Sequence, residues 1–168
     1  AMQPERGAIP LGPLFARLAA DFAPQAATRG LALRVVPTQW SVDSDPVLLE
    51  RILRNLLANA LRYTRSGGVV LGTRRSGATL RIDVVDTGIG IGPSDRERIF
   101  DEFVQVGTGA RHDAGRGMGL GLSIVRRLCA LLDHPLALAS NPGRGSRFSV
   151  TLPRVAQHRR RPQAPTRE

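Results

Sequence analysis

Two asparagines form the first group of residues in this sequence whose type and spacing suit a charged ligand. Asn55 and Asn59 lie four residues apart in LERILRNLLANALRYT, residues 49–64. At about 100° per residue, Asn59 falls on the apolar face of a helix and Asn55 lies at its edge. A buried amide without a partner costs about 1–3 kcal/mol. The helix alone leaves two interpretations open, hydrogen bonds to a neighbouring strand or a bound polar ligand.

Asp86 is the second candidate. Residues 80–86 alternate in polarity, which predicts a strand with Leu80, Ile82, Val84 and Asp86 on one face. A carboxylate then ends an apolar row, and a buried charge without a partner is strongly unfavourable. The turn that follows, TGIGIG at residues 87–92, has three glycines that permit close approach of a ligand to the backbone.

A glycine-rich segment is the third candidate. Six glycines lie between residues 107 and 121, immediately before a helix predicted at 120–132. The free N–H groups and positive dipole end at such a helix start suit an anion. A flexible linker without a ligand is the alternative.

These candidates must be positioned by a mixture of helices and strands. Gly30 suits the C-terminal cap of the first helix, and Asp45 with Pro46 suits the start of the helix that carries the asparagines. The pattern predicts an α/β two-layer sandwich, in which a mixed, mostly antiparallel sheet has helices on one face. The predicted helices are 13–29, 46–64, a short one from Ser94 to Phe100, and 120–132; the predicted strands are 31–36, 40–44, 69–75, 80–86, 136–140 and 146–152.

Composition excludes several classes of protein. All 24 basic residues are arginine, and a P-loop nucleotide site needs a lysine, so that class is excluded. The formal charge is +10, but the arginines are spread along the chain and only one Trp and one Tyr could stack on bases. We therefore expect no direct nucleic-acid binding.

Metal and membrane binding by the protein alone are also not expected. The single cysteine, Cys129, and the three histidines, His112, His134 and His158, show no metal-ligand spacing. No run of about 18 apolar residues is present, which predicts no membrane contact by these residues and a cytoplasmic location, whether or not a larger protein is membrane-anchored.

The order of motifs closely resembles the ATP-binding catalytic domain of bacterial sensor histidine kinases, in the superfamily shared with gyrase, MutL and heat-shock chaperone ATPases. The resemblance covers about residues 11–153. The matching segments are NLLANALRYT at 55–64 (the N box), DTGIGI at 86–91 and GMGLGLSIV at 117–125 (two glycine boxes), IFDEF at 99–103 (the F box), and GRGS at 143–146.

The resemblance implies a Bergerat-type ATP-binding fold, with ATP and magnesium as ligands. Asp86 would accept a hydrogen bond from the adenine amino group, and Asn59 would coordinate the magnesium ion. Arg62, where lysine is more common, would contact phosphate, and Tyr63 would lie along the nucleotide. Phe100 and Phe103 would anchor the lid over the phosphates. The other nucleotide-binding residues that the resemblance implies are Asn55, Gly88, Gly90, Ile91, Gly117, Gly119, Leu120, Gly121, Leu122 and Ser146.

Asn55 favours phosphoryl transfer over hydrolysis. Gyrase-like relatives have a water-activating glutamate at this position, and an asparagine cannot act as a general base at neutral pH. Asn55 is therefore our candidate catalytic residue, in orienting the acceptor or a metal-bound water.

The expected function is a catalytic module that transfers the ATP γ-phosphoryl group to a histidine. That histidine would lie on dimerisation helices absent from these residues, because none of the three histidines here has a matching context. A response regulator would then act downstream. The alternatives are a serine kinase of the anti-sigma type and a nucleotide-binding docking module without transferase activity. Residues 1–10 are expected to be linker or cloning-derived, 11–153 the domain, and 154–168 a disordered basic tail.

Overall fold

The computed structural model describes residues 3–95, 98–100 and 121–156. Three helices and seven strands lie within these ranges, together with a 3-10 turn at Arg98–Phe100. The helices are α1 (Leu11–Thr28), α2 (Pro46–Tyr63) and α3 (Gly121–Leu132). The strands are β1 (Gly7–Pro10), β2 (Ala32–Val35), β3 (Ser41–Ser44), β4 (Gly68–Ser76), β5 (Thr79–Asp86), β6 (Leu136–Asn141) and β7 (Gly145–Val155).

The strands form one sheet in the order β1-β3-β7-β5-β4-β2, and β6 also pairs with β7. The β2–β4 pair is parallel, whereas the other pairs are antiparallel. The eleven residues of β7 explain the branch, because one edge of this strand pairs with β6 near its start and with β3 at its end. The predicted mixed, mostly antiparallel sheet is confirmed.

Within the described residues, the helices cover one face of the sheet. Leu71, Val84 and Phe148 are adjacent in register across β4, β5 and β7, and all three are buried. On the other face Val70 and Val85, also paired, are 36% and 37% exposed. The buried row packs with the apolar residues of the three helices in a single core, so the helices lie on one face as predicted.

The helix that carries the two asparagines starts as the sequence indicates. The Asp45 carboxylate accepts hydrogen bonds from the N–H groups of Val47 and Leu48 at 3.0 Å, and Pro46 occupies the first turn. These bonds satisfy two of the N–H groups that a helix start leaves without a partner. The eight buried residues of α2 define one apolar face: Leu48, Leu49, Ile52, Leu53, Leu56, Leu57, Ala60 and Leu61.

The edges of the sheet differ from the prediction. Residues 7–10, expected to be linker, form β1 and pair with β3, and Ile9 is buried in the core. At the other end β7 continues two residues beyond the predicted boundary at 153, to Val155. The short helix predicted from Ser94 is described only as the 3-10 turn at 98–100. Of the tail predicted to be disordered at 154–168, residues 154–155 belong to β7, and residues 157–168 lie outside the described residues.

None of the helices within the described ranges has the length and apolar character needed to cross a membrane.

Candidate functional site

Asp86 ends β5 with its side chain on the buried face, and the residue is 6% exposed. The N–H of Gly88 donates to its Oδ1 at 2.8 Å. Burial raises the pKa of the Asp86 carboxyl, and N–H groups of Gly88 and Ser146 offset part of that increase. Because an ionised carboxylate has about four acceptor positions, this side chain is oriented by the backbone and can still accept a hydrogen bond from a ligand amino group.

The turn after Asp86 leaves no room for side chains at two glycines. A Cβ on Gly88 would come within 2.6 Å of the Tyr63 carbonyl oxygen and 2.8 Å of Asp86 Oδ1. Gly90 has φ +71°, and a Cβ there would overlap the carbonyl oxygen of Asn141. The turn therefore packs backbone to backbone against the end of α2 and the β6–β7 connection, with Asp86 at its start.

The two asparagines of α2 lie in different surroundings. Asn55 Nδ2 donates to the Arg51 carbonyl oxygen at 2.8 Å within the helix, and its Oδ1 lies 3.5 Å from where a Cβ on Gly121 would be. Asn59 is half-buried, and no described residue hydrogen-bonds its carboxamide. The interpretation in which both asparagines bond a neighbouring strand is therefore wrong for the described part of the chain.

The last turn of α2 carries two further predicted residues. Arg62 and Tyr63 are both half-buried, and Thr64 caps the helix with its N–H donating to the Ala60 carbonyl oxygen at 3.1 Å. Because Gly88 packs against the Tyr63 carbonyl oxygen, the last turn of α2 lies beside the glycine turn.

Helix α3 begins next to Asn55 and contacts the 3-10 turn through Arg126. Phe100 packs edge-on against Phe148 of β7, with ring centroids 6.2 Å apart and planes at 85°, a favourable aromatic arrangement. The guanidinium of Arg126 on α3 lies 5.9 Å from the Phe100 ring. Leu122 is buried in the first turn of α3. Phe100 thus contacts both the sheet and α3.

The described residues offer few metal ligands. Among them, no group of three or more His, Cys, Asp or Glu side chains could hold a metal ion. The Asn59 carboxamide oxygen is a hard donor of the kind that magnesium prefers. This single oxygen donor, which has no described partner, fits a cation whose remaining ligands come from a bound phosphate and water. It does not fit a cation held by protein side chains alone.

Residues 44–156 match the family described as histidine kinase-, DNA gyrase B- and HSP90-like ATPase. The chain belongs to this ATPase family. The match begins one residue before the Asp45 cap and ends with the residue after β7. It therefore includes every site residue predicted from the sequence.

The relatives of this ATPase domain are sensor kinases. Sensor histidine kinase RcsC of Escherichia coli (strain K12) is 42% identical over 113 residues, which are 67% of this chain and 12% of that protein. Sensor-like histidine kinase SenX3 of Mycobacterium tuberculosis (strain ATCC 25618 / H37Rv) is 42% identical over 122 residues, 72% of this chain and 30% of that protein. The chain therefore spans less than a third of the length of either relative.

Solved structures agree with this assignment. Full-length ShkA in complex with AMPPNP superposes with a TM-score of 0.77 at 30% identity, covering 94% of this chain and 33% of that one. The nucleotide-free catalytic domain of histidine kinase ThkA has a TM-score of 0.73 at 21% identity, covering 89% and 97%. The ThkA likeness shows the fold, and together with the family and the relatives identifies an ATPase catalytic domain of the histidine-kinase type.

Several predicted site residues of the ATPase domain are brought together by the sheet and the turns. Asp86, Gly88, Gly90, Ile91 and Ser146 lie at one end of the β5–β7 pair, linked by hydrogen bonds or by backbone packing. Asn55 and Gly121 are adjacent where α2 meets α3. Gly117, Gly119 and Leu120 lie outside the described residues, as does Phe103.

Two hydroxyl residues of the ATPase domain were not singled out from the sequence. Thr87 Oγ1 donates to the Ser66 carbonyl oxygen at 2.9 Å and accepts from the Gly68 N–H at 3.0 Å, which ties the glycine turn to the start of β4. Ser140 Oγ accepts from the Ile91 N–H at 2.7 Å. The sequence did contain a signal for Ser140. Alternation along the strand places Ser140 on the same face as Leu136 and Leu138, just as it places Asp86 on the face of Leu80, Ile82 and Val84.

Proposed function

We propose that this chain is the ATP-binding catalytic module of a two-component sensor histidine kinase. One observation carries the proposal: the Asp86 carboxylate is buried at the end of an apolar row and held by the backbone N–H groups of Gly88 and Ser146, within a family of ATPases. A buried charge lowers the stability of the folded protein when no partner compensates for its lost hydration. A ligand amino group that donates to it explains its presence.

Each side chain has a distinct part in holding the nucleotide. Asp86 accepts from the amino group of adenine, and the missing Cβ of Gly88 lets the turn pack against the end of α2 while its N–H holds the Asp86 carboxylate. Arg62 supplies a permanent positive charge for a phosphate oxygen, and Tyr63 lies along the nucleotide. The first turn of α3, at Gly121 and Leu122, offers N–H groups to phosphate.

Asn59 provides the protein's ligand for magnesium. Its carboxamide oxygen is half-buried on the same helix as Arg62 and is not bonded by any described residue. Asn59 would hold a magnesium ion there, and that ion would supply positive charge to neutralise phosphate. Asn59 orients that ion by its fixed position on α2, which the Asp45 cap holds at its start.

Asn55 directs the chemistry toward transfer. Its carboxamide has no basic group that could deprotonate water at neutral pH, so the γ-phosphoryl group is retained for a protein acceptor. The proposed acceptor is a histidine on dimerisation helices outside the described residues, and the proposed recipient downstream is a response regulator. The names of RcsC and SenX3, a sensor histidine kinase and a sensor-like histidine kinase, support this assignment.

The binding step is tested by titrating the chain with ADP, with and without magnesium. Wild-type protein should bind ADP more tightly with magnesium, and Asn59→Ala should remove most of that difference. Val47→Ala is the matched control, because Val47 lies on the first turn of the same helix and is 74% exposed. Absence of ADP binding by folded wild-type protein would refute the proposal.

The transfer step requires an acceptor. A dimerisation hairpin from a sensor kinase, supplied in trans with γ-labelled ATP, should gain an acid-labile label typical of phosphohistidine. An acid-stable label would identify the serine kinase alternative. ADP and ATP binding without any transfer to a range of hairpins would identify a nucleotide-binding docking module.

A further inference from the structure

A row of three polar side chains crosses the end of the sheet beside the proposed nucleotide site. Ser140, Ser146 and Asp86 are adjacent in register across β6, β7 and β5, and each is buried. The two rows that follow on this face consist of Leu138, Phe148, Val84 and Leu71, and of Leu136, Val150, Ile82 and Thr73. Val69 of β4 completes the first row, so three of its four members are polar and buried, whereas Thr73 is the only polar member of the two rows that follow. Three buried polar groups side by side call for an explanation, since each must find a partner.

Ser140 is the centre of this polar row's hydrogen bonds. Its Oγ accepts from the Ile91 N–H at 2.7 Å, donates to the Gly145 carbonyl oxygen at 2.9 Å, and lies 2.8 Å from Ser146 Oγ. A serine hydroxyl has one proton and two lone pairs. With its proton on Gly145, Ser140 accepts from both Ile91 and Ser146, so a single buried hydroxyl joins the glycine turn to both sides of the β6–β7 hairpin.

Backbone contacts hold the same turn on its other side. The Gly143 N–H donates to the Ile89 carbonyl oxygen at 2.7 Å. Gly90 lies between these two hydrogen bonds and packs so closely on Asn141 that a Cβ would overlap the Asn141 carbonyl oxygen. The hairpin connection therefore contacts three successive residues of the turn, and the Ser140 hydroxyl is the side-chain contribution to that contact.

We propose that Ser140 is a positioning residue for nucleotide binding: its hydroxyl fixes the Ile91 backbone and thereby holds residues 88–91 in the conformation that binds the base. The proposal rests on the proposed function and adds to it a residue outside the predicted binding set. Ser140 acts through Ile91 and needs no contact with nucleotide.

The main competing explanation is that Ser140 contributes only to general stability. The chain offers a matched control in Ser149, a buried serine on β7 whose Oγ donates to Asp83 Oδ1 at 2.7 Å. Ser149 lies on the opposite face of the sheet from Ser146, because the two are three residues apart on one strand. Ser149→Ala also removes one buried hydroxyl, but away from the turn.

The experiment compares Ser140→Ala, Ser140→Thr and Ser149→Ala in the whole chain, with magnesium ADP as the calorimetric probe. Ser140→Ala should weaken ADP binding by about tenfold, because it leaves the Ile91 N–H without its acceptor. Ser140→Thr keeps the hydroxyl and should restore most of the affinity. Ser149→Ala should bind ADP as wild type does, with a comparable loss in melting temperature.

Amide hydrogen exchange in the absence of nucleotide provides the second readout. In Ser140→Ala the Ile91 amide should exchange about tenfold faster, whereas amides in the centre of β5 should be unchanged. Unchanged Ile91 exchange, wild-type ADP affinity in Ser140→Ala, or an equal loss of affinity in Ser149→Ala would each overturn the proposal. If wild-type protein binds no ADP, the proposed function fails, and Ile91 exchange still decides whether Ser140 holds the turn.

Discussion

Replacing Asp86 with asparagine should weaken nucleotide binding. It should also make the stability of the variant, relative to wild type, improve as pH rises. Burial raises the pKa of the Asp86 carboxyl in the folded state, so folding favours its protonated form. The stability linked to this group is fully present below its unfolded pKa and is lost as pH rises through its folded pKa. The carboxamide of Asp86→Asn does not titrate, so the variant keeps a constant contribution over the same range.

The stability of Asp86→Asn relative to wild type should therefore improve as pH rises from about 3 to about 7. Each unit by which the folded pKa exceeds the unfolded pKa contributes about 1.4 kcal/mol to that difference. The variant also exchanges one acceptor oxygen for an NH₂ group near the Ser146 N–H, which adds a pH-independent penalty. The change of this stability difference with pH, and not its value at any one pH, therefore reports the contribution of the Asp86 carboxylate. Urea unfolding at several pH values measures it.

The effect on binding is a loss of affinity together with a loss of selectivity. The carboxamide oxygen of the variant can still accept from the Gly88 N–H, as Asp86 Oδ1 does at 2.8 Å, which leaves an NH₂ group facing the adenine amino group. An unpaired buried donor costs about 1–3 kcal/mol, so ADP should bind about 5- to 150-fold more weakly. Inosine diphosphate presents a carbonyl oxygen in place of that amino group, so the variant should bind it relatively better.

Two results would refute this reasoning. If Asp86→Asn keeps the wild-type preference for ADP over inosine diphosphate, the carboxylate does not read the amino group. If the stability of Asp86→Asn relative to wild type stays constant or falls as pH rises, folding does not disfavour the ionised form of Asp86. Asp83→Asn is the control, because Asp83 lies on the same strand but on the other face, paired with Arg81.

Three further outcomes are expected. Asp45→Ala should lower the free energy of unfolding, measured by chemical unfolding, by about 1–2 kcal/mol because it removes the α2 cap. Asp45→Asn should recover the cap, but not the hydrogen bond that Asp45 Oδ2 accepts from the Glu5 N–H at 2.8 Å. Gly90→Ala should cost about 1–3 kcal/mol because of its φ of +71°, and should abolish ADP binding by displacing the turn. Burial, with the charge of Arg6, lowers the pKa of His134, so the melting temperature should fall as pH drops below about 6.5, and His134→Gln should reduce that fall.

The sequence predicted those features that depend on one segment alone. Alternation over residues 80–86 put Asp86 on the buried face because the side-chain period of a strand is fixed, and the structure confirms it. The Asp45 cap of α2 follows from two adjacent residues and is also confirmed. The helical period placed Asn59 on the apolar face of α2, whereas the structure leaves it half-buried, as it does Asn55.

Features that depend on pairing between distant segments were not predicted. Ser140 becomes part of the site only because β6 pairs with β7 in the register that places it beside Ser146. Strand β1 has four residues and ends in a proline, so its own sequence carries little strand signal. Its pairing depends on β3, which supplies all four register partners.

Backbone groups make several of the contacts that position the site. Asp86 is oriented by the Gly88 N–H, and the Ile91 N–H fixes the far side of the turn through Ser140. Backbone donors are available whatever the side chain is, so the sequence requirement falls on positions where a Cβ would not fit. Gly145, with φ +101° and a Cβ that would overlap the Asp86 carbonyl oxygen, is such a position. The close contacts at Gly88, Gly90 and Gly145 therefore restrict the sequence more tightly than the backbone hydrogen bonds do.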